Sequence, residues 1–478
     1  MADLKIQRAI VDVTTTTGTV TLASLGLDDV ASTSSAFVVN TGNRHDGGGT
    51  NGDTSNKVAM DMAAAVYLSS TSQLTFVKAA GDDTRVSIEI WEYTGSGGGD
   101  NEFIVRGRNV VTLGTTVSSN TGTVSSTPSS IDDCVPFITG KSVSSHSGSQ
   151  NEDSACYAYL SSTATLNVAR SGTDIAMDVY VTTVEFTGAN WSVGHGIITS
   201  FSANSGSITL NTAAAGTGGS TFDTGDWGTA AWVAWGSAPD AGFNRIANGY
   251  PALSPNATTS VVDYTFHSNH TGTDVALMVH VLQHDDLVVT RFSDTGSSTG
   301  EDTIDITSAG LTSLVTASAL GTSTSSGTGT AYGRGWRNHY LNSTTQAATW
   351  CHRSGNTCNH QLQVIDWEGV TSASGQTLTG SVFGSGPSFI SGLISIDQIL
   401  IGSVFGSPPT FTAGTLSQGF NLMGTVFEQA PSFITGNIIV DQLLTGVLFS
   451  IAPTFVAGTL AAPLGGANSG WGIPIGIS

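Results

Sequence analysis

The chain is 478 residues long with a formal net charge of −21, and only 11% of its residues are Asp, Glu, Lys or Arg, against roughly 25% in an average soluble domain. An acidic surface repels phosphate, which argues against nucleic acid as a partner, and no uninterrupted stretch of about 18 apolar residues is present to insert in a membrane as a helix. Single cores rarely grow past roughly 250–300 residues, so a chain of this length needs several.

From the N-terminus the sequence runs straight into a strand pattern at residues 10–13. No basic segment followed by an apolar one precedes it, so no Sec export signal is read. Glycine is abundant, with 59 copies, and Ser and Thr alternate with apolar residues. Val86, Ile88 and Ile90 alternate with Ser87 and Glu89, the period-two signature of a half-buried strand. No long amphipathic helix is read, and the predicted class is all-β.

A diverged unit recurs four times up to about residue 370, a period long enough for each copy to be a structural module. Its clearest mark is a Tyr-Leu-Ser-Ser-Thr run at Tyr67 and again at Tyr159, with Tyr340-Leu-Asn-Ser-Thr in the fourth copy. The third copy carries Tyr250-Pro-Ala-Leu-Ser-Pro instead. Each copy opens on a strand and is expected to close on a hairpin across a Gly-Asp or Gly-Asn turn, as at Gly81, Gly172, Gly272 and Gly355. The predicted architecture is therefore four tandem small β-sandwich or jelly-roll-like domains over residues 1–98, 99–191, 192–286 and 287–370.

Residues 371–462 hold a sharper repeat of 22 residues, followed by a tail over 463–478. Gly380, Gly402, Gly424 and Gly446 recur at that step, as do Phe383, Phe405, Phe427 and Phe449. So do Pro387, Pro409, Pro431 and Pro453, and then Phe389, Phe411, Phe433 and Phe455. Proline lacks a donor and belongs at a bend or strand start. Two short strands per unit, stacked four times, would bury a continuous core that no single unit could bury. No Lys or Arg follows Arg353, and from residue 371 only Asp397, Glu428 and Asp441 are charged. A segment so poor in charge is expected to bury surface against other copies or a larger assembly, with a monomeric solenoid kept soluble by Ser and Thr as the alternative.

The sequence offers no paired-carboxylate, triad or metal constellation. The turn acids Asp82, Asp83, Asp174 and Asp274 suit turns for backbone reasons and form no glycosidase pair, so no enzyme is predicted. Residues 46–53 could fold oxygens around Ca²⁺ but lack the EF-hand ladder, and a plain exposed loop explains them. Cys351, His352, Cys358 and His360 do not match a zinc spacing. A two-residue turn at Ser354 and Gly355 would set Cys351 opposite Cys358, as packed thiols or as a disulfide. Cys134 and Cys156 complete the set of four cysteines. His267 and His270 read as exposed loop residues. The aromatic group Trp227, Trp232, Trp235 and Tyr250 is the first candidate for contact with a host glycan, against ordinary core packing.

The Gly-x-(Val/Leu)-Phe-x-x-x-Pro-(Ser/Thr)-Phe-x-x-Gly unit resembles a repeat of virion structural proteins of tailed bacteriophages, of the fibre or surface-appendage type. The resemblance covers the last quarter of the chain. It implies a non-enzymatic virion structural protein, an oligomeric fibre, spike or surface-decoration subunit, assembled in the host cytoplasm and released with the particle. Such fibres are typically homotrimers that join other virion proteins and contact the host surface. A bacterial surface adhesin or filament subunit exported without a Sec signal is the competing expectation.

Overall fold

The computed structural model describes residues 3–367 apart from 46–62, 80–82, 145–153, 171, 200–204, 239–250, 267–275, 286, 297–299, 326–336 and 352–357, and beyond them eight strands. The chain divides into two compact units at residues 371 and 372. The described residues are all-β, with strands interrupted only by turns and short 3-10 segments.

In the first unit the strands fall into successive sets of six. Module 1 comprises β1 (Leu4–Val13), β2 (Thr17–Thr21), β3 (Ala36–His45), β4 (Ala65–Leu68), β5 (Gln73–Val77) and β6 (Thr84–Tyr93). Module 2 comprises β7 (Phe103–Leu113), β8 (Ser119–Thr123), β9 (Cys134–Val143), β10 (Tyr157–Ser162), β11 (Thr165–Ala169) and β12 (Met177–Phe186). Module 3 comprises β13 (Ser192–Ile198), β14 (Ser205–Thr209), β15 (Ala230–Ala238), β16 (Ala252–Pro255), β17 (Val261–Thr265) and β18 (Ala276–Gln283). Module 4 comprises β19 (Val288–Gly296), β20 (Gly300–Asp305), β21 (Ala317–Ser325), β22 (Arg337–Leu341), β23 (Gln346–Cys351) and β24 (Cys358–Asp366).

One antiparallel pairing scheme serves all four modules. The sixth strand lies between the first and third, giving an inner sheet such as β1-β6-β3. The fifth lies between the second and fourth, giving an outer sheet such as β2-β5-β4. Each module is thus a small sandwich of two three-stranded sheets.

This arrangement corrects the expected closing hairpin. The fifth and sixth strands do not pair in any module: β5 and β6, β11 and β12, β17 and β18, and β23 and β24 lie in opposite sheets. The true hairpin joins the fourth and fifth strands, with Leu68 opposite Leu74 and Leu160 opposite Leu166. The Tyr-Leu-Ser-Ser-Thr run is that hairpin. Burial gives the physical reason. β5 alternates between half-buried and buried residues, as a strand with one wet face must, whereas nine of the ten residues of β6 are buried. Two strands with such different needs belong to different layers.

Each sandwich has its own interior. Val11, Val38, Val66, Leu74 and Ile88 fill module 1, and Leu160, Leu166, Val168 and Val179 fill module 2. The outward faces of the four inner sheets meet in a further, shared core. Leu4, Phe37 and Trp91 of module 1, Phe103, Phe137 and Phe186 of module 2, Trp191 and Leu282 of module 3, and Leu320 and Trp367 of module 4 all belong to it. The Trp91 and Trp367 rings meet edge to face with centroids 4.7 Å apart, and Trp191 lies 5.8 Å from Trp367. Aromatic pairs in this range add about 0.5–1.5 kcal/mol beyond their area.

The modules therefore close on one another as a ring. β4 pairs with β9 at Ala65 and Gly140, joining modules 1 and 2. β22 pairs with β3 at Asn338 and Gly42, joining module 4 back to module 1. β10 packs beside β15, and β16 beside β21, completing the cycle.

In the second unit, β25 (Thr377–Phe383), β27 (Gln398–Phe405), β29 (Phe420–Phe427) and β31 (Leu443–Phe449) form one parallel sheet. β26 (Ser388–Ile394), β28 (Thr410–Leu416), β30 (Ser432–Thr435) and β32 (Thr454–Ala457) form another. Gly380 pairs with Gly402, and Phe383 with Phe405; Phe389 pairs with Phe411 in the other sheet. Pro387, Pro409, Pro431 and Pro453 lie outside the described residues.

Candidate functional site

Where the third strands of the four modules converge, β3, β9, β15 and β21 line a cavity of about 200 Å³. Its apolar lining includes Val39, Phe137, Val233 and Leu320, which belong to the shared core. Further along the same strands come hydrogen-bonding residues: Asn40, Thr41, Asn43, Lys141, Thr322 and, from β22, His339. The Asn40 amide donates to Asn43 and to the Thr139 carbonyl at 3.0 and 3.1 Å, and accepts from the Gly42 N–H at 2.9 Å. Lys141 donates to the Ser154 carbonyl at 2.7 Å. Thr322 accepts from the Leu253 N–H at 2.9 Å. Thr41 is 9% exposed, and its hydroxyl oxygen, itself shut off from solvent, has no partner among the described residues.

Glycine lets neighbouring modules approach this closely. A Cβ on Gly140 would fall 2.2 Å from the Ala64 carbonyl oxygen, and one on Gly236 would fall 2.4 Å from the Cys156 carbonyl oxygen. Gly42, Gly140 and Gly236 occupy corresponding places in β3, β9 and β15. That recurrence was the sequence signal for the site, and it was missed.

Of the predicted glycan-binding aromatics, Trp227 and Trp232 are 8% and 2% exposed and pack in the interior of module 3, which leaves no face for a sugar. Their rings instead flank the Arg291 guanidinium, with its carbon 5.6 and 5.2 Å from the two centroids. Trp235 is half-buried, packs against the same interior and contributes to the cavity lining. Tyr250 lies outside the described residues, as do Asp82, Asp274, His267, His270 and the Ca²⁺ candidate at 46–53. Asp83 and Asp174 are exposed.

The cysteine expectation is corrected by the sheets. Cys351 stands opposite Gly300 and Arg337, and Cys358 opposite Gly296 and Ser325. The two are not cross-strand neighbours, because β23 and β24 belong to different layers. Cys134 and Cys156 are buried free thiols; Cys134 donates to the Ser130 carbonyl at 3.2 Å. Burial pushes both thiols up from their ordinary range.

One polar position recurs at all four joints. Arg8 of β1 donates to the Leu314 carbonyl at 2.7 Å and to that of Ala317. Arg108 of β7 reaches Thr33 and Ala36 at 2.6 and 2.8 Å. Arg291 of β19 reaches Trp227 and Ala230 at 2.7 and 2.6 Å. In module 3 the place is taken by His195, whose Nε2 lies 2.9 Å from the Asp132 carbonyl. Each of these side chains reaches from the first strand of one module to the segment leading into the third strand of the module before it. Module 1 reaches module 4. The opposing residues on the sixth strands are Glu89, Thr182, Gln363 and His280. Burial draws Arg291 down to about 10, opposed by Asp226, and lowers Arg8 and Arg108 as well.

No family model matches the chain, and no curated protein matches it.

Proposed function

We propose that this protein is a non-enzymatic virion structural protein of a tailed bacteriophage, a fibre, spike or surface-decoration subunit. The observation that carries the reading is the use of the polar side chains at its module joints. Arg8, Arg108, His195 and Arg291 all bind main-chain carbonyls across module joints. Titratable groups perturbed by burial often mark catalytic or binding sites; here three half-buried arginines and one buried, neutral histidine hold copies of one module together. The parallel strands of the second unit, offset by one repeat, add a second assembly built by repetition.

On this reading the charge-poor repeat segment joins the subunit to further copies, as a homotrimer, and to other virion proteins, while the ring faces the medium and host glycan. Gold-labelled antibody raised against residues 1–371 and applied to intact particles tests it. Label on a defined surface structure is the expected result. Label confined to debris, or a full chain that native mass spectrometry finds only as a soluble monomer, would overturn it.

A further inference from the structure

We infer that the first unit joins head to tail with further copies of itself, the β2 edge of one copy pairing antiparallel with the β14 edge of the next. The contact lies within residues 2–371 and holds whether or not the chain belongs to a virion.

The second strands of the four modules, β2, β8, β14 and β20, each end a sheet, and an end strand turns one row of main-chain groups away from its neighbour. Alternation fixes which groups these are. The Lys78 N–H donates to the Thr16 carbonyl and the Leu22 N–H to that of Ser72, so the even-numbered residues of β2 bond to β5. Thr17, Thr19 and Thr21 therefore face outward. By the same alternation the odd-numbered residues face outward in β8, β14 and β20. Two of the four edges are blunted. In β8 the Thr121 N–H donates to the Asn120 side chain at 2.8 Å, and the Thr123 carbonyl accepts from Asn109 at 2.6 Å. In β20 the Thr303 N–H donates to Asp302 at 2.9 Å, and three acids line the strand. The other two edges are open. Among the described residues no hydrogen bond reaches the main chain of Thr19 or Ser207, and neither β2 nor β14 carries a charge or a proline.

The two open edges fit each other, and this singles out a second copy as the occupant. With Thr19 set antiparallel to Ser207, Thr17 meets Thr209 and Thr21 meets Ser205, all six of them exposed. Thr–Thr and Thr–Ser neighbours are favourable cross-strand pairs. On the opposite face Gly18 meets Ile208 and Val20 meets Gly206, a branched side chain beside a glycine each time. The Thr17, Thr21 and Thr209 carbonyls accept from Thr15, Ser24 and Asn211, and each keeps a second lone pair for the added strand. β2 and β14 belong to modules 1 and 3, which are not neighbours in the ring. Every copy thus has a head and a tail, and a head-to-tail contact that does not close builds an open filament. Five residues a side bury well under the roughly 1,000 Å² of a stable interface, so the contact is weak and gains from copies held close together.

Sedimentation velocity of the purified full chain over a concentration series tests this, with a double variant, Thr19→Pro and Ser207→Pro, as the baseline for association through any other surface. Proline removes an outward N–H that no strand of the same copy uses. The parent should associate further than the baseline as concentration rises. Thr19→Pro alone and Ser207→Pro alone should each weaken that excess at least about tenfold, the size of one or two hydrogen bonds. An equimolar mixture of the two single variants should regain association, because each supplies the edge that the other lacks. Thr19→Lys, which leaves the backbone as it is and blunts the edge by charge, should match Thr19→Pro and melt with the parent. Thr121→Pro, on an edge already blunted, should leave association unchanged. Equal association in the parent and the double variant, a loss with Thr121→Pro as large as with Thr19→Pro, or a mixture that stays at the baseline would overturn the pairing.

Discussion

His195 and His280 face each other across the β13–β18 pair with their Nδ1 atoms 2.8 Å apart. Their Nε2 atoms point at the Asp132 and Ala158 carbonyls of module 2, at 2.9 and 3.2 Å. Both carbonyls need a donated proton, and two neutral rings then have none left for the contact between them. A third proton would complete the set, but it would bury a charge. Burial decides, holding His195 at about 4 and His280 at about 3, the latter pushed down further by His195.

The sign of the pH effect follows. An unfolded histidine titrates near about 6.5, so the unfolded chain takes up more protons as the medium acidifies. The contribution of this pair is intact above that value and lost as pH falls towards about 4 and about 3. Urea midpoints should decline from roughly pH 7 to pH 5, and His280→Gln should flatten the decline. A variant whose slope matched the parent would place the pH dependence elsewhere.

Arg108→Ala should destabilise the ring. Two main-chain carbonyls, of Thr33 and Ala36, would lose a charged donor, at about 1.5–3 kcal/mol each before relaxation. Arg108→Lys should recover only part of this, since an ammonium lacks the planar fork that spans both acceptors. Denaturant unfolding of the three proteins gives the comparison.

Two glycine substitutions separate close approach from backbone freedom. Gly140→Ala brings a Cβ against Ala64 and strains a residue at φ +149°, so a loss of about 2–4 kcal/mol is expected. At Gly218, φ +83°, nothing lies within 4 Å of an added Cβ. Gly218→Ala should cost only the left-handed penalty of about 1 kcal/mol. Equal losses would show that the β4–β9 joint tolerates the extra methyl group.

Thiol reagents offer a view of the interior. Cys134 and Cys156 are buried, with thiols raised by burial, and thiolate is the reacting form. Neither should be modified in the native protein at neutral pH, and both should react once it is unfolded. Mass spectrometry of labelled peptides would show prompt native labelling if the module 2 interior opens readily.

The second unit should tolerate deletion by whole periods. Removing residues 402–423, one 22-residue step, keeps identical residues in register. Removing half that length would pair Gly with unlike neighbours. Far-UV circular dichroism per residue should survive the first deletion and fall after the second.

Alternation along residues 86–93 was enough to assign strands, because period two is a local property of the chain. Which strands pair is not local. In sequence β5 and β6 look like hairpin arms, separated by Gly-Asp-Asp, yet they pair in opposite sheets. In sequence β6 alternates just as β5 does, and only the folded chain shows that nine of its ten residues are buried. The aromatic cluster at Trp227 and Trp232 was legible as a cluster, but its partner Arg291 lies 64 residues from Trp227 and in the next module. The candidate cavity needs four strands drawn from four modules, and only the recurring Gly42, Gly140 and Gly236 hinted that those strands meet.

Ring closure has a consequence during synthesis. Arg8 finds one acceptor, the Leu314 carbonyl, 306 residues further along the chain. At about 5–20 residues per second, a ribosome needs roughly 15–60 s to make that stretch. For that interval Leu4, Phe37 and Trp91 lack the face that module 4 will supply. The earliest-made quarter of the ring therefore waits longest for its last neighbour, and a chaperone that shields apolar surface would be needed there first.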